Sequence, residues 1–534
     1  MTDVATARSH ALGDLLRRSA RRHPDKTALL YGAIRQTFVE LEETVNRTAN
    51  ALAERRLCQG DRLALLAHNS YGFVVAALAM AKIGAIMVPV NFMLTADEVA
   101  FILTHSGAVG VIVEDELLAV AEGALGRASE AGRIRAVISD GPAAPPHDWE
   151  AIDSWFSHPN ASDPGVLVAD DDPIALSYTS GTESRPKGAT LTSRCLIAQF
   201  SSCVIDGEME AQDVEAHPMP LYHCAQLYCF LMPDLYLGAT SVVLARPDPA
   251  VILETIERER VTKLFCPPTV WISLLRHPDF AHRDLSSLRK GYYGASAMPT
   301  EVLLEMSRRL PDVRLFNFYG QTEMSPMATL LRPDDQVRKA GSAGRASINV
   351  ETRVVDPDER ALPPGEIGEI VHRSPHAMLG YWNDPEKTAE AFRNGWFHSG
   401  DLGVIDDEGY LSVVDRKKDM IKTGGENVAS REVEEAIYAH DGVMEVAIFG
   451  VSDPRWIEAV TAAVVPRDGV ELAPEDVITF CREGLAPFKV PKHVVILRAL
   501  PKNASGKILK RELRARFGEL AGAPAAPRTG DVAS

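Results

Sequence analysis

Positive charge is scarce in this chain. Its 56 lysines and arginines stand against 73 aspartates and glutamates, a formal net charge of −17. Such an acidic chain is a poor match for nucleic acid or an anionic membrane surface, so both are set aside as main partners. Any anionic ligand has to be met by a few local cations. Cysteine is scarce too. The seven are an odd number scattered from Cys58 to Cys481, and no pair has metal-ligand spacing. A disulfide framework is excluded, and a reducing, cytoplasmic location is expected. Cys224 and Cys229 flank an apolar stretch and read as small core residues. The start, Met1-Thr2-Asp3, lacks the basic-then-apolar pattern of a signal peptide. No internal repeat is visible. An unbroken hydrophobic run is also missing. The candidate, Tyr71 to Val90, is interrupted by Lys82, Gly84 and Pro89, so it reads as a buried helix ending near Lys82 and a strand at Ala85–Val90 rather than a membrane span.

What is present is an ordinary globular composition, 46% hydrophobic and 24% charged, over 534 residues. That length predicts about two to four domains. Residues 10–60 read as helix-rich, with Arg17, Arg18, Arg21 and Arg22 forming a solvated helix face. After Gly60, strand-like runs (Arg62–Ala67, Ala85–Val90, Val109–Val113, Ala136–Ser139) alternate with helical ones, the pattern of a parallel, doubly wound α/β sheet. Residues 141–164 form a looser connection. Four later segments each run from an apolar strand into small or polar residues: Ile174–Tyr178, Thr262–Phe265, Gly291–Tyr293 and Val313–Tyr319. Ligands bind beyond the carboxyl ends of strands in open α/β sheets, so the four following loops are expected to line one rim, the active site. From Glu351 short strands with turn signals predict a small antiparallel subdomain, about residues 345–414. Charge density rises at Asp415-Arg416-Lys417-Lys418-Asp419. The expected division is a large α/β domain over 1–414, a smaller α+β domain over 415–518, and a disordered tail over 519–534.

The most informative stretch is Leu176-Ser177-Tyr178-Thr179-Ser180-Gly181-Thr182-Glu183-Ser184-Arg185-Pro186-Lys187-Gly188-Ala189-Thr190. Gly181 and Gly188 allow tight turns and close approach of backbone N–H groups to a ligand. Thr179, Ser180 and Thr182 carry hydroxyl donors and Lys187 a positive charge, a combination that suits a triphosphate. It is not a Walker A loop, which needs Gly-Lys followed by Ser or Thr; here the lysine precedes the glycine.

The stretch resembles the phosphate loop of the adenylate-forming superfamily, which includes acyl-CoA synthetases, luciferases and nonribosomal adenylation domains. It departs from the common form at Glu183 and Ser184. The resemblance extends over about residues 10–516, through Asn317-Phe318-Tyr319-Gly320-Gln321-Thr322-Glu323, Gly400-Asp401, Asp415-Arg416, Gly424-Gly425-Glu426-Asn427 and Asn503-Ala504-Ser505-Gly506-Lys507. It implies a large N-terminal domain of doubly wound sheets with a small β subdomain, followed by a mobile C-terminal domain. It also implies an enzyme that uses ATP, Mg²⁺ and CoA. By that resemblance Lys187, Thr179 and Thr182 hold the β and γ phosphates, with Ser180 and Gly181 in the same loop. Thr322 bonds the α-phosphate, and Glu323, a hard oxygen ligand, serves Mg²⁺. Adenine lies against Gly294-Ala295-Ser296 and the Tyr319 ring, with Asn317 near its amine and Gly320 and Gln321 alongside. Asp401 accepts from the ribose hydroxyls, and Arg416 also reaches the ribose. Lys507 bridges the carboxylate and the α-phosphate, a fixed cation where charge develops. The C-terminal domain turns about Asp415, and Gly424-Gly425 then borders the pantetheine tunnel.

The acid pocket is expected beside this rim, with His223, Ala225, Leu227, Tyr293, Phe318 and Met324 in its walls and His223 as a gate. Those segments hold no arginine or lysine to pair a second carboxylate, and no carboxylate for an amino group once Glu323 is assigned to Mg²⁺. The expected substrate is a monocarboxylic acid with a sizeable apolar body, either fatty or bulky aromatic or polycyclic. Transfer to a carrier protein, a luciferase-like oxidase and a non-catalytic acyl-adenylate binder stay open as alternatives. A nonribosomal adenylation domain fits less well, because histidine rather than aspartate follows the aromatic residue Tyr222. A homodimer is retained as the candidate assembly. Glu183 is expected to turn away from the phosphates, towards Arg185, to avoid like-charge repulsion.

Overall fold

A computed structural model describes residues 3–139, 145–179, 186–296, 298–417, 419–423, 426–504 and 506–518. The tail expected to be disordered lies outside them. The chain divides into two compact units. One comprises Met1–Met298, Glu305–Arg353 and Val371–Ser399, the other Pro299–Leu304, Val354–Ile370 and Gly400–Ser534.

The first unit is built on two large sheets. The nine-stranded sheet runs, in spatial order, through Arg345–Ala346, Thr329–Leu331, Arg314–Tyr319, Lys290–Gly294, Lys263–Phe265, Val214–His217, Thr240–Val243, Thr27–Tyr31 and Ile34–Thr37. Its central pairings are parallel and its edges antiparallel. The eight-stranded sheet runs through Gly380–Tyr381, Lys187–Thr192, Pro173–Thr179, Ile86–Pro89, Arg62–Leu66, Ala108–Glu114, Ile134–Ile138 and Glu150–Ala151. It is parallel except where Lys187–Thr192 meets its two neighbours. This is the doubly wound α/β architecture. Strands this apolar form because both of their faces are covered: Leu63 to Leu66 are all fully buried.

The run Tyr71–Val90 is the helix Tyr71–Lys82, buried on every side, followed by the strand Ile86–Pro89. Lys82 survives inside because its ammonium lies 2.7 Å from the Glu42 carboxylate. No helix among the described residues is long and apolar enough to cross a membrane.

Two expectations change. Residues 10–60 hold the helices Leu15–Arg22 and Phe38–Glu54, but the strands Thr27–Tyr31 and Ile34–Thr37 lie between them as an antiparallel pair. The turn is made by Gly32 at φ +55, and an apolar run as short as Ala-Leu-Leu-Tyr does not separate strand from helix. The four rim segments, in turn, do not share one sheet. Lys263–Phe265, Lys290–Gly294 and Arg314–Tyr319 are adjacent parallel strands of the larger sheet, whereas Pro173–Thr179 belongs to the other and turns back as a hairpin into Lys187–Thr192.

One buried amide joins the two sheets. Asn69, just past the strand Arg62–Leu66, donates to the carbonyls of His217, Met219 and Leu244 at 3.3, 2.8 and 3.0 Å. Its Oδ1 accepts from Leu221 N–H at 2.7 Å. The loop leaving the strand Val214–His217 is thereby fixed against the end of a strand from the other sheet.

In the second unit, residues 401–405 pair antiparallel with the strand Leu411–Arg416. A five-stranded sheet of Glu426–Val428, Ile421–Thr423, Ile457–Pro466, Val443–Asp453 and His493–Ile496 follows. The helices Ser430–Tyr438, Pro474–Gly484 and Lys510–Phe517 accompany it, an α+β unit.

Candidate active site

The hairpin brings Thr179 opposite Lys187, and the Thr179 hydroxyl reaches the Lys187 carbonyl at 3.5 Å. Ser180, Gly181, Thr182 and Glu183 lie outside the described residues. The Lys187 ammonium sits 5.3 Å from the centre of the Tyr381 ring, within cation–π range. Tyr381 is on the edge strand Gly380–Tyr381, which pairs with Lys187–Thr192. Its hydroxyl donates to Glu323 Oε1 at 2.8 Å, while Met378 N–H donates to the Glu323 carbonyl at 2.8 Å. The hairpin of Thr179 and Lys187 in one sheet and the Thr322-Glu323 turn of the other therefore meet through one tyrosine. Glu323 is half-buried, and its anionic oxygens, oriented by a neutral donor beside a lysine, are the donor set a hard divalent cation takes with phosphate oxygens.

Thr322 faces the other way as well. Its Oγ1 lies 3.2 Å from Cys224 Sγ. Burial pushes the Cys224 thiol up to about 12, so it is a neutral group against which an incoming carboxylate meets no repulsion. Cys224 opens the π-helical stretch Ala225–Leu231.

The strand-end residues are ordered by backbone crowding. A Cβ on Gly294 would stand 2.4 Å from the Phe318 carbonyl oxygen, and one on Gly320 would stand 2.0 Å from that of Pro326. Glycine is needed there for strand packing before any ligand is considered. Ala295, at φ +64, turns the chain into the left-handed region, and it and Ser296 are exposed. Asn317 donates to the Ser342 carbonyl at 3.0 Å, and Gln321 to the Tyr319 hydroxyl at 2.8 Å.

The six pocket residues do not form one cluster. Ala225 and Phe318 pack together with Phe230, Met219 and Met327. Leu227 is buried in the core built around the helix Tyr71–Lys82, and Met324 packs with Ala328, Val350 and Phe397. The Tyr293 hydroxyl donates to Gln336 Oε1 at 2.7 Å, and His223 Nδ1 accepts from Ala225 N–H at 3.2 Å.

Residues 16–382 match the model of the AMP-binding enzyme family, and residues 432–507 that of the AMP-binding enzyme C-terminal domain. The chain belongs to the AMP-binding enzymes. It is 38% identical over 511 residues to a feruloyl-CoA synthase of Amycolatopsis, covering 96% of this chain and 100% of that protein. It is 34% identical over 511 residues to the long-chain-fatty-acid–CoA ligase FadD13 of Mycobacterium tuberculosis, covering 95% and 98% of the two chains. Among solved structures, the anthranilate CoA ligase AuaEII in complex with anthranoyl-AMP superposes with a TM-score of 0.90 at 26% identity, covering 96% and 98%. Like these acyl-activating proteins, this AMP-binding enzyme is an adenylate-forming ligase that takes ATP.

The second unit of this AMP-binding enzyme orders its own motif residues. Asp401 and Arg416 are cross-strand partners, with Arg416 Nε 3.3 Å from Asp401 Oδ1. Asp415 is buried, and its two carboxylate oxygens accept from Arg416 N–H at 2.7 Å and Ser430 N–H at 2.6 Å. It thus ties a strand end to the first turn of the helix Ser430–Tyr438. Lys507 closes a small turn: its N–H donates to Asn503 Oδ1 at 2.8 Å, its carbonyl accepts from Asn503 N–H at 2.9 Å, and Gly506 supplies φ +79. Gly424 and Gly425 lie outside the described residues. Sequence reasoning missed Tyr381. Its place, beside Gly380 in a run that also holds Met378 and Trp382, carries no composition signal; only pairing with Lys187–Thr192 reveals it.

Proposed function

We propose that this enzyme activates an apolar monocarboxylic acid with ATP and Mg²⁺, releasing pyrophosphate, and then passes the acyl group from the adenylate to CoA. The observation that carries the reading is Thr322: in one turn its neighbour Glu323 meets Tyr381, whose ring faces Lys187, while its own hydroxyl meets the Cys224 thiol on the side proposed for the acid. Phosphate chemistry and acid chemistry then adjoin at the α-phosphate, where the carboxylate attacks. Lys187 with Thr179, Ser180, Gly181 and Thr182 cradles the phosphates, Glu323 holds Mg²⁺, and the cation neutralises phosphate charge when bound. Asp401 and Arg416 take the ribose. Asp415 acts as the hinge, Gly424 and Gly425 border the thiol arm, and Lys507 supplies the cation for adenylation.

The acid is a sizeable aromatic or fatty one. In support, the cluster around Ala225 and Phe318 is apolar and methionine-rich, and methionine adapts to irregular apolar shapes. Relatives named for feruloyl, anthraniloyl and long-chain fatty acyl groups point the same way. The test is a panel of carboxylic acids with ATP, with and without CoA, read by mass spectrometry. Adenylates of octanoate, cinnamate-like or larger acids, and their CoA thioesters, are expected. A preference for acetate, malonate or free amino acids would overturn the substrate class, and adenylates that never become CoA thioesters would favour a carrier-protein acceptor.

A further inference from the structure

The π-helical stretch Ala225–Leu231 continues directly into the α-helix Met232–Leu237. π-turns are rare and recur beside functional sites, so what holds this one in place bears on the pocket. Two buried side chains mark its ends, Gln226 in its first turn and Asp234 just past its last. Both face one imidazole, that of His217 at the end of the strand Val214–His217. Gln226 Nε2 donates to His217 Nδ1 at 2.8 Å, and Gln226 Oε1 accepts from Met219 N–H at 3.2 Å. Across the ring, His217 Nε2 lies 3.4 Å from Asp234 Oδ2, an approach that falls short of a hydrogen bond, and neither atom has another hydrogen-bond partner among the described residues. Asp234 also pairs with the Lys263 ammonium, which lies 2.9 Å from Glu215.

Glu215, His217, Asp234 and Lys263 are all fully buried. Burial pushes Glu215 well above the usual carboxylate range, against the pull of Lys263, and pushes the His217 ring below the usual imidazole range, which favours its neutral form. Against the same burial, the Lys263 ammonium holds Asp234 below the usual carboxylate range. A neutral ring that accepts at Nδ1 carries its proton on Nε2, the nitrogen that faces Asp234. Such a network is weak evidence for stability, because apolar side chains of equal volume often serve as well or better. Its geometry has a different content: one ring holds, by a hydrogen bond to Gln226, the first turn of the stretch that carries Ala225 and follows Cys224, and faces Asp234 just beyond its end.

We infer that His217 is a positioning residue which, through Gln226, sets the acid-side wall and so selects which acids are accepted. This rests on the proposed acid activation. The test compares His217→Gln and Gln226→Met, which lose the His217–Gln226 bond, with His217→Asn, whose side-chain oxygen takes the place of Nδ1 and keeps it. Each variant is assayed for pyrophosphate release with the preferred acid and with a shorter acid of the same class. The first two are expected to raise KM for the preferred acid about tenfold and to change the ratio between the two acids, the scale on which pockets discriminate by shape. Their KM for ATP should stay within about twofold, and His217→Asn should keep the wild-type ratio. Loss of stability in all three with unchanged acid ratios would overturn the inference, as would failure of both His217→Gln and Gln226→Met to fold, since the bond would then serve folding alone. A wild-type enzyme that releases no pyrophosphate with any acid would overturn the proposed function and the inference with it.

Discussion

At the scale of single residues, the hydrogen bond from Tyr381 to Glu323 is the most exposed to test. A hydrogen bond to a charged group is worth about 1.5–3 kcal/mol. Tyr381→Phe is therefore expected to lower kcat/KM for MgATP about tenfold while leaving KM for the acid unchanged; steady-state pyrophosphate release measures both, and an unchanged kcat/KM would remove the tyrosine from the site. His376 is a second case. Its Nδ1 donates to the Met327 carbonyl at 2.9 Å and its Nε2 accepts from the Ser202 hydroxyl at 2.9 Å, a ring locked against the segment that follows Glu323. Burial lowers it from 6.5 to about 4. Because the folded form disfavours the proton, the stability this ring confers is complete above pH about 6.5 and is lost as pH falls through about 4. Within that window the loss is about 1.4 kcal/mol per pH unit. Denaturant midpoints of wild type and His376→Gln between about pH 7.5 and 4.5 should diverge accordingly, and parallel curves would refute the assignment. As candidates, Lys187, Thr322, Glu323 and Asp401 were legible in the sequence because a motif states type and spacing together. Tyr381 and Asn69 were not, because each acts across more than 50 positions of chain; His217 was not either, although its partner Gln226 is only 9 positions away, because no motif marks the pair.

At the scale of elements, the buried Lys263 on the strand Lys263–Phe265 joins the strand Val214–His217 to the helix Met232–Leu237. Lys263→Met leaves the Asp234 carboxylate buried without its cation, so a loss of about 3–5 kcal/mol is expected, read as a lower urea midpoint. A loss under about 1 kcal/mol would mean that water reaches Asp234. The parallel strands Lys263–Phe265, Lys290–Gly294 and Arg314–Tyr319 were readable because each ends an apolar run at small or polar residues, whereas Val214–His217, reading Val-Glu-Ala-His, was not. The hairpin of Thr27–Tyr31 with Ile34–Thr37 was not, since its inner strand is as short as a helix turn and its outer one, Ile34-Arg35-Gln36-Thr37, is largely polar. The π-helical stretch has no composition signature at all: Ala-Gln-Leu-Tyr-Cys-Phe-Leu would serve an α-helix equally well, and only its anchors on His217 and Met219 set it apart. Gly294 shows the reverse. The motif assigned it to the nucleotide, while the Phe318 carbonyl alone already forbids a larger residue.

At the scale of the whole molecule, the motif residues fall in two units, with Lys187, Thr322 and Glu323 in one and Lys507, Asp401 and Asp415 in the other. Under the proposed function the two half-reactions are separable by mutation. Lys507→Ala is expected to slow adenylation roughly 100-fold, the cost of losing a preorganised electrostatic donor, and to spare thioester formation from a supplied acyl-adenylate. Equal loss of both steps in a folded variant would contradict that division of labour. The contact between Thr322 and Cys224 carries a thermodynamic corollary. Under the proposed function, a hydroxyl that answers to phosphate on one side and to the acid's wall on the other makes the two substrates partners in one equilibrium, so any factor by which ATP tightens the acid must be returned, undiminished, by the acid to ATP.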